Sequence, residues 1–477
     1  MKKTSLYQLP TILMVALLWI LLFPVLCQSG NLLNATESHS FQLPKYEKFT
    51  LKNGLTVYLM EQKEVPLIYV SAIFPAGAVK DGDKSGLASL TADTLLLGTK
   101  NYSKSQLEEK LDFLGTAYNL YTGKEMTSLS MSFINSDLDK VLPILKDIIL
   151  HPSFEPTEFD KRKKRLAMEL EQAKEETGMV INNYYEKFLF GTNEYGNPIS
   201  GSKNSVAAIT IEDIKAFYHA NYKPAESAIA FVGNFKTQDM KKIAARYFND
   251  WEGVGKSAST SPTPLPTYNT SRILLVNKED ATETRFFIGQ MGIRNNNPDY
   301  VAIQVINTIL GGRFTSWLND ELRVNAGLTY GVTSMFVPYK SAGTFLISSF
   351  TPTATTTEAI DLALKVIDRL HSQGIDEKTL TSAKNYLKGQ FPPLYETAGM
   401  LANFLTTMFF YNLNDSFINS FQKTVDELTV EKAREIIQKY FPKDNLQFVL
   451  IGKASEIKDK IKKYGEIQIK EIKADGF

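Results

Sequence analysis

The chain has 477 residues, of which 43% are hydrophobic and 22% charged, as is usual for a soluble globular protein with more than one domain. The 53 Lys and Arg residues nearly balance the 52 Asp and Glu residues, so composition indicates no general attraction to nucleic acid or to an anionic membrane. Four dispersed histidines and one cysteine, Cys27, exclude a centre built from closely spaced His or Cys ligands.

The N-terminus has the pattern of a secretory signal peptide, predicted to span residues 1–29. Lys2 and Lys3 form a charged start, and Ile12–Phe23 is an apolar run too short for a comfortable membrane span. The short Lys-Lys start looks bacterial, so the predicted destination is the periplasm. Two alternatives stay open: Cys27 carries a lipid, or the segment remains uncut as a membrane anchor.

Strand and helix patterns mix throughout the first half of the chain. An Asn-Gly turn within Phe49–Tyr58 predicts a hairpin, and the alternation of Thr127–Phe133 predicts a half-buried strand. Further elements are predicted in chain order as strand Leu67–Phe74, a helix within Gly86–Thr99, helices Ser103–Leu114, Asp137–Leu150, Glu155–Glu175 and Ile211–Ala220, and strand Ala228–Val232.

A segment rich in Ser, Thr and Pro, residues 253–269, is predicted to be a linker. It separates an N-terminal domain, predicted to span residues 45–252, from a C-terminal domain, predicted to span residues 270–465.

The second domain repeats the first. A helix, a Pro turn and a strand closed by Gly233 recur before Gly452, and these glycines lie 452 − 233 = 219 residues apart. Strand Arg285–Gln290 and helix Tyr300–Leu310 also have counterparts in the first half. The repeat indicates a domain duplication, and the predicted fold class is α+β, with two homologous domains that each pack a mixed sheet with helices.

The stretch Gly86–Thr99 carries the most informative pattern, a short predicted helix that ends at Gly98. Its Gly-x-Ala opening and Gly-Thr closing resemble the signature helix of the pitrilysin/insulinase zinc peptidases, in their processing-peptidase branch. In that family the inverted motif H-x-x-E-H supplies two zinc-binding histidines and a general-base glutamate. Ser89, Ala92 and Asp93 occupy those three positions here.

The resemblance places the family's third zinc ligand at Glu169. Catalytic zinc keeps three protein ligands and a water, whereas Asp93 and Glu169 alone make at most a weak oxygen site. Ser89 is a poor ligand, and Ala92 cannot take a proton from water. We therefore predict no metal or other cofactor in this chain. Ser89→His, Ala92→Glu and Asp93→His together are expected to recover zinc binding if Glu169 is correctly placed.

The resemblance runs from about Phe49 to Gly452 and includes the motif Glu194–Pro198. It implies paired α+β domains that form half of a clam shell closing around a peptide. In this family an Arg and a Tyr approach the zinc across the shell, and Arg323 and Tyr330 match them in the frame Leu-Arg-x-x-x-Gly-Leu-x-Tyr. Arg323 is predicted to lie in the last turn of a helix and Tyr330 to open a strand, where its phenol can stabilise an oxyanion.

These features predict a protein that lacks the family's zinc site but keeps the Arg and Tyr that act on the substrate. The leading hypothesis is a non-catalytic, substrate-binding subunit of a heterodimeric zinc peptidase that acts on extended peptides. Its Arg323 and Tyr330 would complete the site of a homologous subunit that carries the zinc. Two alternatives stay open: a peptide-binding or chaperone-like protein that uses sheet-edge pairing, and an autonomous zinc peptidase. No nucleic acid is expected as a partner, and a membrane only if the leader is retained or lipidated.

Overall fold

The structure, a computed structural model, describes residues 41–253 and 263–477. The predicted signal peptide with Cys27, and residues 254–262 of the predicted linker, lie outside the described residues. In the part of the chain that is described, no helix combines the length and the apolar character needed to cross a bilayer.

Twelve strands form two six-stranded mixed sheets, one from each half of the chain. The first sheet consists of β1 (Glu47–Thr50), β2 (Thr56–Glu61), β3 (Leu67–Phe74), β4 (Ala117–Thr122), β5 (Thr127–Ile134) and β6 (Ala228–Gly233). The second consists of β7 (Arg272–Asn277), β8 (Glu283–Met291), β9 (Val332–Pro338), β10 (Gly343–Pro352), β11 (Gln447–Gly452) and β12 (Glu466–Glu471).

The order of the strands confirms the predicted duplication. The sheets run β1-β2-β6-β3-β5-β4 and β12-β7-β11-β8-β10-β9. The pairs β2–β6 and β7–β11 are parallel, and the pairs that follow them in each sheet are antiparallel. Gly233 and Gly452 end equivalent strands. The outer strands differ, because β1 pairs with β2 as an antiparallel hairpin whereas β12 joins β7 in parallel and extends the second sheet past residue 465.

Helices of both halves cover these sheets. Those of the first half are α1 (Leu87–Thr94), α2 (Lys104–Phe113), α3 (Leu138–Leu150), α4 (Pro156–Ala173), α5 (Thr177–Phe190), α6 (Lys203–Ala208), α7 (Ile211–Asn221) and α8 (Thr237–Phe248). Those of the second half are α9 (Tyr300–Asn307), α10 (Trp317–Asn319), α11 (Thr356–Ser372), α12 (Glu377–Gln390), α13 (Ala398–Phe410), α14 (Ser416–Asn419), α15 (Phe421–Asp426), α16 (Val430–Tyr440) and α17 (Ala454–Ile461). Two π-helical turns, Thr308–Gly312 and Asp320–Asn325, adjoin α9 and α10.

Local sequence signals account for the starts of α2 and α7. Ser103 and Thr210 accept hydrogen bonds from the backbone N–H groups three residues on, and the side chains at those positions bond back, which makes two capping boxes. Helix α9 is shorter than predicted, since the π-helical turn takes over at Thr308 and includes the Gly-Gly pair that was expected to end it.

Each sheet buries one face against helices of its own half and the other against a helix of the opposite half. Helix α13, through Leu401 and Leu405, covers the first sheet at Ala230. Helix α5 covers the second sheet, where the Tyr185 hydroxyl donates to the carbonyl of Phe345 over 2.7 Å. Because each half completes the other's core, the described residues from 41 onward form one compact unit.

Candidate functional site

Helix α1 is held at its start by a carboxylate and a glycine. Asp81 accepts hydrogen bonds from the backbone N–H groups of Gly86, at 2.7 Å, and Ala88, at 2.8 Å. Burial raises the pKa of Asp81 to about 7, against the lowering effect of these N–H donors. Gly86 has φ +96°, and a Cβ there would lie 2.9 Å from the carbonyl oxygen of Ser200. The Gly-x-Ala opening therefore has a structural role that is independent of any zinc chemistry.

The three replaced motif positions lie on α1. Ser89 and Asp93, one helical turn apart, share a half-buried face, while Ala92 is only 2% exposed. Helix α4 packs beside α1 and carries Glu169. The structure therefore brings Asp93 and Glu169, which are 76 residues apart in sequence (169 − 93), to the same place.

An arginine that the sequence analysis missed lies between these two carboxylates. The Nε of Arg162 donates to Oδ2 of Asp93 over 2.7 Å, and its Nη1 donates to Oε2 of Glu169 over 2.9 Å. Burial raises the pKa of Asp93, and Arg162 opposes that rise. Burial would lower the pKa of Arg162, but Asp93 and Glu169 outweigh it and raise that pKa. Arg162 precedes Glu169 by two helical turns, which is the sequence signal that could have found it.

The residues at this place do not fit a zinc ion. Within residues 41–253 and 263–477, no three His, Cys, Asp or Glu side chains come close enough together to hold a metal. The two carboxylates that the family frame offers are already bound to a permanently charged guanidinium. The cluster of Asp93, Arg162 and Glu169 is thus an ion-paired site with a protein cation at its centre.

The second pair, Arg323 and Tyr330, lies around a chain reversal. Arg323 is in the π-helical turn before Gly327, whose φ of +64° reverses the chain. The sequence predicted that Tyr330 opens a strand. That prediction is wrong, because β9 begins two residues later, at Val332. Its side chain lies in the connecting loop and is 84% exposed.

The surroundings of this pair leave the tyrosine accessible. The Arg323 guanidinium lies 4.4 Å from the ring centroid of Phe314, which is itself 64% exposed. Among the described residues, no hydrogen bond or ion pair joins Arg323 or Tyr330 to the cluster of Asp93, Arg162 and Glu169.

Two family models match most of the chain. Residues 57–203 match "Insulinase (Peptidase family M16)", and residues 208–387 match "Peptidase M16 inactive domain". The chain belongs to peptidase family M16, the insulinase family. Within this M16 protein, the first match contains the replaced zinc motif and the second contains Arg323 and Tyr330.

Relatives of this M16 chain carry both peptidase and non-peptidase names. It is 22% identical to the "Uncharacterized zinc protease YmxG" of Bacillus subtilis over 72% of this chain and 83% of that protein. It is 22% identical to the "Non-peptidase homolog YmxG" of Helicobacter pylori over 84% and 94% of the two chains. A "Probable mitochondrial-processing peptidase subunit beta" of Arabidopsis thaliana is 23% identical over 58% of this chain and 52% of its own length.

A solved structure supports the same assignment. The crystal structure of a "peptidase M16 inactive domain" from Pseudomonas fluorescens superposes with a TM-score of 0.80 and 26% identity. It covers 86% of this chain and 98% of the other. The described α+β fold is therefore that of an M16 clam-shell half, and some relatives are likewise named as inactive or non-peptidase proteins.

Proposed function

We propose that this chain is the metal-free, substrate-binding subunit of a heterodimeric zinc peptidase that acts on extended peptides. A homologous subunit with an intact H-x-x-E-H motif holds the zinc. This chain supplies Arg323 and Tyr330 to that subunit's site. With residues 1–29 removed as a signal peptide, the complex works in the periplasm.

One contrast carries the proposal. At the position of the zinc motif, Arg162 forms ion pairs with both carboxylates, Asp93 and Glu169. Tyr330, in contrast, lies in a loop with 84% of its side chain exposed. A phenol that donates to a developing oxyanion must be accessible to a substrate, and removal of such a donor is costly to catalysis. The M16 relative from Arabidopsis thaliana is named as a subunit, which is the kind of arrangement proposed here.

The direct test is co-expression with a homologous M16 subunit that has an intact H-x-x-E-H motif. We expect a heterodimer with one zinc ion per pair, and cleavage of a peptide library by the pair but not by this chain alone. The control is the same pair with the partner's motif glutamate replaced by Gln, which should assemble but not cleave. One tightly bound zinc in this isolated chain after dialysis, or no association, would contradict the proposal.

One observation favours peptide binding without hydrolysis as a second candidate function. Strand β4 is the outermost strand of the first sheet, and its six residues, Ala117–Thr122, include no charged residue and no proline. Charges and prolines are the usual features that keep an edge strand from pairing with another chain. An extended peptide that adds to β4 would be held by backbone hydrogen bonds, and its affinity would be insensitive to Tyr330.

A further inference from the structure

The degenerate zinc position contains a cation that belongs to the chain itself. Two nitrogens of one guanidinium, Nε and Nη1 of Arg162, donate to carboxylates on two different helices, Asp93 on α1 and Glu169 on α4. The Arg162 side chain is 16% exposed, less than Asp93 at 30% and Glu169 at 50%. The cation is therefore the most enclosed member of the cluster.

The charges of the cluster are balanced without a metal. A second arginine, Arg165, lies 3.7 Å from the other oxygen of Glu169, so two guanidinium groups face two carboxylates. A guanidinium does not lose its proton in proteins, and it cannot make room for a metal by becoming neutral. A divalent ion beside Glu169 would have to approach a fixed positive charge at short range.

We infer that Arg162 replaces the metal ion of this family, both as the link between α1 and α4 and as a barrier to divalent cations at Glu169. It is a positioning residue, because it acts through the carboxylates that it binds on α1 and α4. The inference concerns the isolated chain and does not require a partner subunit. It also means that restoring the three motif residues is not sufficient to rebuild a zinc site while Arg162 remains.

The first test compares zinc affinities of variants that carry Ser89→His, Ala92→Glu and Asp93→His. Groups beside metal ligands typically change metal affinity about 10–100-fold, so we expect addition of Arg162→Gln to tighten zinc binding at least about tenfold. The matched control is Arg165→Gln, which removes the same charge from the same helix at a side chain that is 59% exposed. It should change the affinity much less.

The measurement is competition with a chromophoric zinc chelator after dialysis, with circular dichroism as the check on folding. Equal zinc affinity with and without Arg162, or an equal gain from Arg165→Gln, would overturn the inference. Neither result bears on the heterodimer proposal, because the zinc of that complex lies in the partner.

A second test uses the native motif and stays informative if the multiply substituted variants fail to fold. Arg162→Gln should lower the urea midpoint of unfolding, since it removes the cation that binds both Asp93 and Glu169. In an Asp93→Asn background the same substitution should lower the midpoint less, because one of the two carboxylates is already neutral. The same loss in both backgrounds would show that the pairing does not join the helices and would overturn the inference.

Discussion

The side chain of Tyr330, in the second site, is exposed to solvent, unlike the side chain of a core residue. Tyr330 is 84% exposed, so Tyr330→Phe should leave folding and assembly unchanged. In the proposed heterodimer it should lower kcat by about 10²–10³, with little change in KM, because an oxyanion donor acts mainly in the transition state. The measurement is steady-state peptide cleavage by the complex. The matched control is Tyr386→Phe, at a tyrosine that is 40% exposed on α12.

Arg323 is expected to behave differently from Tyr330. Its guanidinium can hold a peptide carbonyl in the ground state, so Arg323→Ala should raise KM as well as lower kcat. Unchanged kcat in Tyr330→Phe would reject the shared active site. Peptide binding at β4 would then be the better account, with an affinity that neither substitution alters.

At the level of single elements, the start of α1 depends on a backbone that L side chains avoid. Gly86→Ala should destabilise the protein by more than the roughly 1–2 kcal/mol typical of a residue forced into left-handed backbone, because its Cβ would also meet the carbonyl oxygen of Ser200. Gly82→Ala is the matched control, since Gly82 has φ +60° and a Cβ added there would have no other atom within 4 Å. Urea unfolding of both variants measures the difference. A cost no greater at Gly86 than at Gly82 would show that the contact with Ser200 relaxes freely.

The elements that the sequence predicted well are those specified by neighbours along the chain. Strand β3 has the predicted bounds, Leu67–Phe74, and the capping residue Ser103 is where the sequence places it. These features depend on alternation, turn residues and caps, all of which act within a few residues. The strand expected at Tyr330 starts later, since Thr329 Oγ1 and the Gly331 N–H bond within the loop before the ladder begins.

The features that the sequence did not predict depend on how elements pack. Arg162 became part of the candidate site because α4 docks on α1, and no local pattern reports that contact. Likewise α5 and α13 each cover the sheet of the opposite half. The apolar pattern of such a helix is the same whichever sheet it covers, so the sequence does not indicate the exchange. The replaced zinc motif was readable from the sequence, and the spacing of Arg162 and Glu169 places both on one face of α4, but the contact of Arg162 with Asp93 needed the structure.

At the scale of the whole molecule, buried ionic groups join the two halves. Lys124, next to β4, pairs with Glu186 of α5 at 2.7 Å, and both side chains are nearly inaccessible. From the second half, the Tyr339 hydroxyl donates to Glu186 over 2.9 Å and the Lys340 backbone N–H donates to Glu125 over 2.9 Å. Together with the exchanged helices, this network indicates that the halves unfold together rather than one at a time.

Replacement of the buried Lys124 should therefore lower the free energy of unfolding of both halves together. Lys124→Met leaves Glu186 buried without its ion-pair partner and should cost about 3–5 kcal/mol. Adding Glu186→Gln should recover much of that loss, because the buried charge disappears. The surface pair of Lys104 and Glu108, also at 2.7 Å but with side chains 29% and 45% exposed, supplies the control, and Lys104→Met should cost no more than about 1 kcal/mol.

Tryptophan fluorescence during urea unfolding provides the measurement, since Trp251 is in the first half and Trp317 in the second. Versions of the chain that keep Trp251 alone or Trp317 alone should give coincident transitions, and Lys124→Met should move both midpoints by the same amount. Both midpoints should move because Glu186 lies on α5, the helix of the first half that packs against the second sheet. A shift confined to one tryptophan would show that the buried ion pair stabilises one half alone and that the two sheets unfold separately.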